Sequence, residues 1–169
     1  MKAIIFSKID DEEIIRLRNE LYLESTDKLG LHLTWYALEL DEENKSSLEQ
    51  TVERIPRNNF PLKIEADGVA TTTYGVVRLK VVKTTRIQIL HESVVIQTSK
   101  FRNSKLPSKA LEYYNTLSDG EKRLVELYGR ANVMNRFQPH ISLGRTSHQI
   151  VAPLCRMLTL DNIEVYTES

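Results

Sequence analysis

Two strings decide how this chain is read: Leu31-His32-Leu33-Thr34-Trp35-Tyr36-Ala37 and Pro139-His140-Ile141-Ser142-Leu143-Gly144-Arg145. Each sets a histidine and a hydroxyl residue two positions apart, with an aliphatic residue between them. Both sit in apolar runs that read as strands, Leu29 to Leu40 and Phe137 to Thr146, the first of them ended by the turn-forming Asp41-Glu42-Glu43-Asn44. Strand side chains alternate between faces, so His32, Thr34 and Tyr36 are expected on one face and Leu31, Leu33, Trp35 and Ala37 on the other. In the second string Gln138, His140, Ser142 and Gly144 share a face opposite Ile141 and Leu143. Strict alternation turns Arg145 away from His140, and only a twist or bulge at Gly144 would bring it back.

Working outward, Ala3 to Phe6 reads as a strand, and Asp10 with Glu13 as a capping box opening a helix that carries Ile14, Leu17 and Leu21. A short helix with Leu48, Val52 and Ile55 on one stripe is expected to stop at Pro56. Pro61 to Ala66 and Tyr74 to Val82 read as strands around an Asp67-Gly68 turn. Ile87, Leu90, Val94 and Thr98 predict a helix within Arg86 to Phe101. Leu106 to Tyr128 reads as two helices, the first capped by Ser108, the second opened by Ser118 with Glu121 and closed by Gly129. A helix over 147–160, with Pro153 in its first turn, and a strand from Ile163 to Tyr166 complete the order. The two halves echo each other, and no linker divides them. We therefore expect one α+β domain over residues 1–169, built of two intertwined lobes at roughly 1–65 and 66–169, with a cleft between their sheets and a helical insertion near 106–130.

The 169 residues carry 23 Lys plus Arg and 23 Asp plus Glu, so there is no net field to hold long duplex nucleic acid. The charges are unevenly spread: residues 1–65 have 14 acids against 9 bases, and 66–169 have 9 against 14. Arg78, Lys80, Lys83, Arg86, Lys100, Arg102, Lys105 and Lys109 face only Glu92 in their stretch, which suits a small anionic ligand. No apolar run approaches the roughly 20 residues of a membrane span, and the opening Met1 to Phe6 is too soon followed by charge for a signal peptide. A cytoplasmic protein is expected. The lone Cys155 rules out an intramolecular disulfide and a cysteine zinc cage. No His/Asp/Glu cluster has metal-ligand spacing and no Gly-rich loop suggests a nucleoside triphosphate, so neither metal nor cofactor is expected.

Apposed across a cleft, His32, Thr34, His140 and Ser142 would surround one small group with two titratable rings and two hydroxyl donors. That set suits in-line displacement at a phosphodiester. One imidazole takes a proton from the attacking oxygen, the other gives one to the leaving oxygen, and a histidine populates both forms near neutrality. The hydroxyls donate to the non-bridging oxygens, where charge grows in the transition state. A third string, His91-Glu92-Ser93, falls in a helix, where alternation fails; His91 and His148 read as surface or capping residues. Tyr36 is a candidate base or phosphate contact, whereas Trp35, Phe137, Tyr113 and Tyr114 read as core or helix packing.

His32-Leu33-Thr34 and Pro139-His140-Ile141-Ser142-Leu143-Gly144-Arg145 resemble the paired His-x-Thr/Ser signatures of the two-histidine (2H) phosphoesterase superfamily, which includes the RNA 2′,3′-cyclic phosphodiesterases once named 2′-5′ RNA ligases. The second string carries more of the pattern, in its Pro, its Leu and its closing Arg. The resemblance implies a bilobal pseudo-two-fold fold, with two antiparallel sheets facing a central cleft and helices outside. It implies His32 and His140 as catalytic residues, and Thr34, Ser142 and Arg145 as phosphate contacts. The implied reaction is metal-independent cleavage of a 2′-5′ linkage, a 2′,3′-cyclic phosphate or a cyclic oligonucleotide messenger, without a cofactor. After the first string, Trp35-Tyr36-Ala37-Leu38 departs from the Leu-x-Phe-Leu-Gly run of the bacterial RNA phosphodiesterases. The substrate class is then a small nucleotide, cyclic nucleotide or short oligonucleotide, with no membrane partner and a monomeric protein. The alternative is a non-catalytic nucleotide- or RNA-binding module on the same fold.

Overall fold

The computed structural model describes residues 1–21, 23, 28–55, 59–103 and 105–168, the side chains of Ser108 and Lys109 excepted. The stop expected at Pro56, the cap expected of the Ser108 side chain and the Lys109 cation lie outside the described residues. The strands are β1 (Lys2–Lys8), β2 (His32–Glu39), β3 (Leu62–Thr71), β4 (Val76–Val81), β5 (His140–Arg145), β6 (Val151–Leu160) and β7 (Glu164–Glu168). The helices are α1 (Glu12–Glu20), α2 (Lys45–Glu53), α3 (Thr85–Thr98), α4 (Ser108–Tyr113) and α5 (Asp119–Tyr128).

Among the described residues the strands form one antiparallel sheet in the order β6-β3-β4-β5-β2-β1-β7. The two sheets expected are halves of this one. They meet at a sparse seam between β2 and β5, whose register pair is Leu33 with Ile141. The sheet is also strongly curved. Arg156 of β6 places its guanidinium 2.9 Å from Asp11, at the turn after β1. Strands five places apart in a flat sheet would stand roughly 24 Å from each other. One face of the sheet is continuous core, with Leu33, Trp35, Leu79, Ile141 and Leu143 all but excluded from solvent. Burial of such side chains is worth roughly 1.5–3 kcal/mol each. Helix α3 packs on that face through Ile87, Leu90, His91, Val94 and Val95, a helical stripe of period near 3.6.

Four local expectations are corrected. Residues 151–160 are a strand: Leu154, Arg156, Leu158 and Leu160 alternate inward with period two, and β6 pairs with β3 from Leu62–Leu160 to Ala70–Val151. Pro153 fits because β6 is an edge strand, where its missing N–H is tolerated. Asp67-Gly68 is a bulge inside β3, marked by a register shift between Ala66 and Val69 and by a Gly68 φ of +95°. The chain turns instead after Thr71, where the Gly75 N–H donates to Thr72 O at 3.0 Å. The N-cap of α1 is Asp11 rather than Asp10, its carboxylate accepting from Glu13 N and Ile14 N, each at 3.1 Å. Ser108, expected to cap α4, is instead its first residue, with Pro107 in the N-cap position, whereas the caps of α5 match expectation. Glu121 accepts from Ser118 N at 2.9 Å at the start of α5, and Gly129 ends that helix in the left-handed region at φ +73°.

Candidate active site

The site forms where β2 and β5 run side by side. Both histidines are anchored in the same way: His32 Nδ1 donates to Gly30 O and His140 Nδ1 donates to Gln138 O, each at 2.9 Å and each two residues back in the chain. A carbonyl can only accept, so Nδ1 carries the hydrogen in both rings. The environments differ. His32 is 7% exposed and meets the Phe6 ring edge to face, their centroids 5.5 Å apart. His140 is half-buried, and its pKa lies below the ordinary histidine value. Burial is the main cause, helped by the charges of Arg78 and His32 and opposed by the bond to the Gln138 carbonyl.

The neighbouring strands repeat this symmetry. Beside β2, Lys8 pairs with His32, Ser7 with Leu33 and Phe6 with Thr34. Beside β5, Lys80 pairs with His140, Leu79 with Ile141 and Arg78 with Ser142. Register partners share a face of the sheet, so Arg78 and Lys80 stand with His140 and Ser142. Continuing the seam register by one residue either way sets Thr34 across from His140 and His32 across from Ser142. Neither the Thr34 nor the Ser142 hydroxyl has a hydrogen-bond partner among the described residues, and neither residue is fully buried.

In both strands the register slips by one residue just after the hydroxyl position. On β2 the pairing passes from Phe6–Thr34 to Ile5–Tyr36, and on β5 from Arg78–Ser142 to Val77–Gly144. These bulges overturn the alternation expected from sequence. Tyr36 faces away from Thr34: it is 2% exposed, its Oη donates to Tyr128 O at 2.5 Å, and burial pushes its pKa up to about 12. No ring face is open there for a base, and Tyr36 instead ties the end of α5 to β2. Arg145 changes face the other way. Its partner Val76 lies on the same face as Arg78, so the bulge at Gly144 brings exposed Arg145 to the His140 side.

His91 is another correction, for it is 1% exposed and not on the surface. Its Nδ1 donates to Trp35 O at 2.8 Å, its Nε2 accepts from Met134 N at 3.0 Å, and its ring stacks on Phe137 at 3.8 Å. It thus joins the residue after Thr34 to the segment leading into His140. Met134 has φ +55°, a costly conformation for a residue with a side chain, and is held by this bond and by Gln88 Nε2 on its carbonyl at 2.8 Å. The sign missed in the sequence is that His91 falls on the same helical stripe as Ile87, Leu90 and Val94. Trp35 and Phe137 are core, as expected, while His148 is exposed.

Two cavities open beside His140. One, of about 340 Å³, runs along β4 and is lined by Arg78, Lys80, Lys83, Thr71, Thr72 and Gln138 among others. The second, of about 220 Å³, is walled by Glu121, Asn132 and Arg136, and shares Arg78, Gln138 and His140 with the first. Among the described residues no three His, Cys, Asp or Glu side chains gather as metal ligands, and no helix is long and apolar enough to cross a membrane.

Comparison with known proteins agrees with this geometry. The family described as the 2′-5′ RNA ligase superfamily matches residues 6–167. Among solved structures, TT0787 of Thermus thermophilus aligns with a TM-score of 0.64 at 14% identity, over 98% of this chain and 87% of that one, a likeness of fold. No curated protein matches the chain. With the family match spanning nearly every residue, and both His-x-Thr/Ser strings inside it on adjoining strands, this chain belongs to the 2′-5′ RNA ligase superfamily of 2H phosphoesterases.

Proposed function

We propose that the whole chain acts as a single-domain, metal-independent phosphodiesterase on a small nucleotide or short oligonucleotide. The observation that supports this best is the matched anchoring of the two histidines through Nδ1 on adjoining strands, and in this reading proton transfer falls to Nε2 of each ring. His140, held neutral by burial and by Arg78, accepts the proton of the attacking hydroxyl, either a vicinal ribose hydroxyl or water. As that oxygen bonds to phosphorus, the leaving oxygen takes a proton from His32 Nε2 and its P–O bond breaks. Thr34 and Ser142 donate to the non-bridging oxygens, and Arg78 and Arg145 add positive charge on the same face. With a vicinal hydroxyl as nucleophile the product is a cyclic phosphate; with water and a cyclic phosphate the ring opens and the two histidines exchange roles. This reading predicts turnover in excess EDTA of at least one substrate among 2′,3′-cyclic nucleotides, 2′-5′ and 3′-5′ dinucleotides and cyclic dinucleotides, followed by chromatography of the products. Folded protein that turns over none of them in EDTA or in added divalent cation would leave a nucleotide-binding module instead.

A further inference from the structure

The two cavities beside His140 differ in charge, and the difference bears on what flanks the scissile phosphate. Each begins at Arg78, Gln138 and His140. The arm along β4 adds Lys80 and Lys83, the hydroxyl residues Thr71 and Thr72, and no acid among its lining residues. The other arm holds the Glu121 carboxylate, ion-paired to Arg136 at 2.6 Å, and the Asn132 amide. A second phosphate would be repelled by Glu121 and attracted by the lysines, whereas a nucleoside, with donors and acceptors but little charge, fits the mixed arm.

Spacing argues that the basic arm serves a separate phosphate. Arg78 and Lys80 lie two residues apart on β4, about 7 Å. Lys83 stands further along, past the end of the strand. Three cations spread along β4 and past its end supply more positive charge than a single phosphate held between His32 and His140 calls for. Lys83 Nζ uses one donor on Asn135 O at 2.8 Å and has two more for a ligand.

Resting on the reading of His32 and His140 as the catalytic pair, we infer that the arm lined by Lys80 and Lys83 binds a second phosphate of the substrate. The preferred substrate is then an oligonucleotide, or a dinucleotide with a terminal phosphate, rather than a lone cyclic mononucleotide.

The test uses three 2′-5′ adenosine dinucleotides, one without a terminal phosphate, one with a 5′-phosphate and one with a 3′-phosphate. Binding to the His32→Ala protein is measured by calorimetry, which needs no turnover, and kcat/KM is measured with His32 intact. One terminal phosphate is expected to tighten binding and raise kcat/KM by roughly tenfold, the worth of a charge-assisted contact. Adding Lys80→Ala and Lys83→Ala to the His32→Ala protein should erase the gain in binding. With His32 intact, Lys83→Ala alone, the change further from His140, should cut the gain in kcat/KM and leave the unphosphorylated dinucleotide within about twofold. Equal binding of all three dinucleotides, or equal losses for all three in the double variant, would overturn the inference even with turnover intact. Tighter binding of one phosphorylated dinucleotide without turnover of any would support the basic arm and count against the phosphodiesterase reading.

Discussion

Changing His32 or His140 to Ala is expected to lower kcat by about 10²- to 10⁴-fold, the usual worth of one acid or base. The two losses should not multiply in the double variant, because both rings serve a single displacement. The stability costs differ. His140 is half-buried and, among the described residues, its ring is hydrogen-bonded to the Gln138 carbonyl alone, so its removal should be close to neutral. His32 is buried against Phe6, so His32→Ala leaves a small void and an unpaired Gly30 carbonyl, at about 1–3 kcal/mol. His32→Asn, which keeps a side-chain donor but cannot transfer a proton, separates the two effects. It should fold near wild-type stability and remain inactive. Thermal melts beside product assays read both quantities, and wild-type turnover in either Ala variant would remove that residue from the mechanism.

The second large effect is on stability and falls on His91. Its replacement by Ala strands the Trp35 carbonyl and the Met134 N–H, removes the stack on Phe137 and empties a ring-sized volume under the junction of β2 and the segment before β5. We expect a loss of about 3 kcal/mol, or roughly 6–12 °C in Tm for a chain of this length. Activity should fall as well at temperatures where the variant is folded, since Thr34 and His140 lie just beyond the two groups His91 joins. The same residue makes the fold acid-sensitive. Burial, opposed by the bond to Trp35, lowers its pKa to about 4, while the unfolded chain binds that proton near 6.5. Between those values the unfolded state holds the extra proton. The neutral ring's stabilisation is therefore complete above pH 6.5 and is lost as pH falls toward 4, by about 3 kcal/mol in all. His91→Gln is expected to be less stable than wild type at pH 7 and to approach it near pH 4. Urea unfolding across that range checks the convergence, and parallel stability curves would show that His91 is not the titrating group.

The two signature strands and the face that His32, Thr34, His140 and Ser142 share were legible because alternation is a local property, visible in His32-Leu33-Thr34 and His140-Ile141-Ser142. What alternation could not reveal was where it breaks. The bulges after Thr34 and Ser142 exist only in relation to β1 and β4, so Tyr36 and Arg145 each landed on the face opposite to the one read from sequence. Arg78 and Lys80 stood out only as members of a basic stretch suited to an anionic ligand, and their place beside Ser142 and His140 depends on a strand pairing about 60 residues distant in sequence. The misread strand over 151–160 had a local sign: Pro153 argues against a helix interior, and Leu154, Arg156, Leu158 and Leu160 show period two. His91 needed no tertiary information to be placed on an apolar stripe. Its two hydrogen-bond partners, on β2 and in the loop before β5, did need it.

The most direct test of the two-histidine account is the pH dependence of kcat/KM in EDTA for the wild type, His140→Ala and Arg78→Met. The wild type should give a bell, with the acidic limb set by His140 and lying below the ordinary histidine range, because burial and Arg78 disfavour its charged form. Arg78→Met removes one source of that disfavour and should move the acidic limb to higher pH, while His140→Ala should abolish the limb along with most of the rate. A profile flat across pH 5 to 8 in the wild type, or an acidic limb that survives in His140→Ala, would contradict the account.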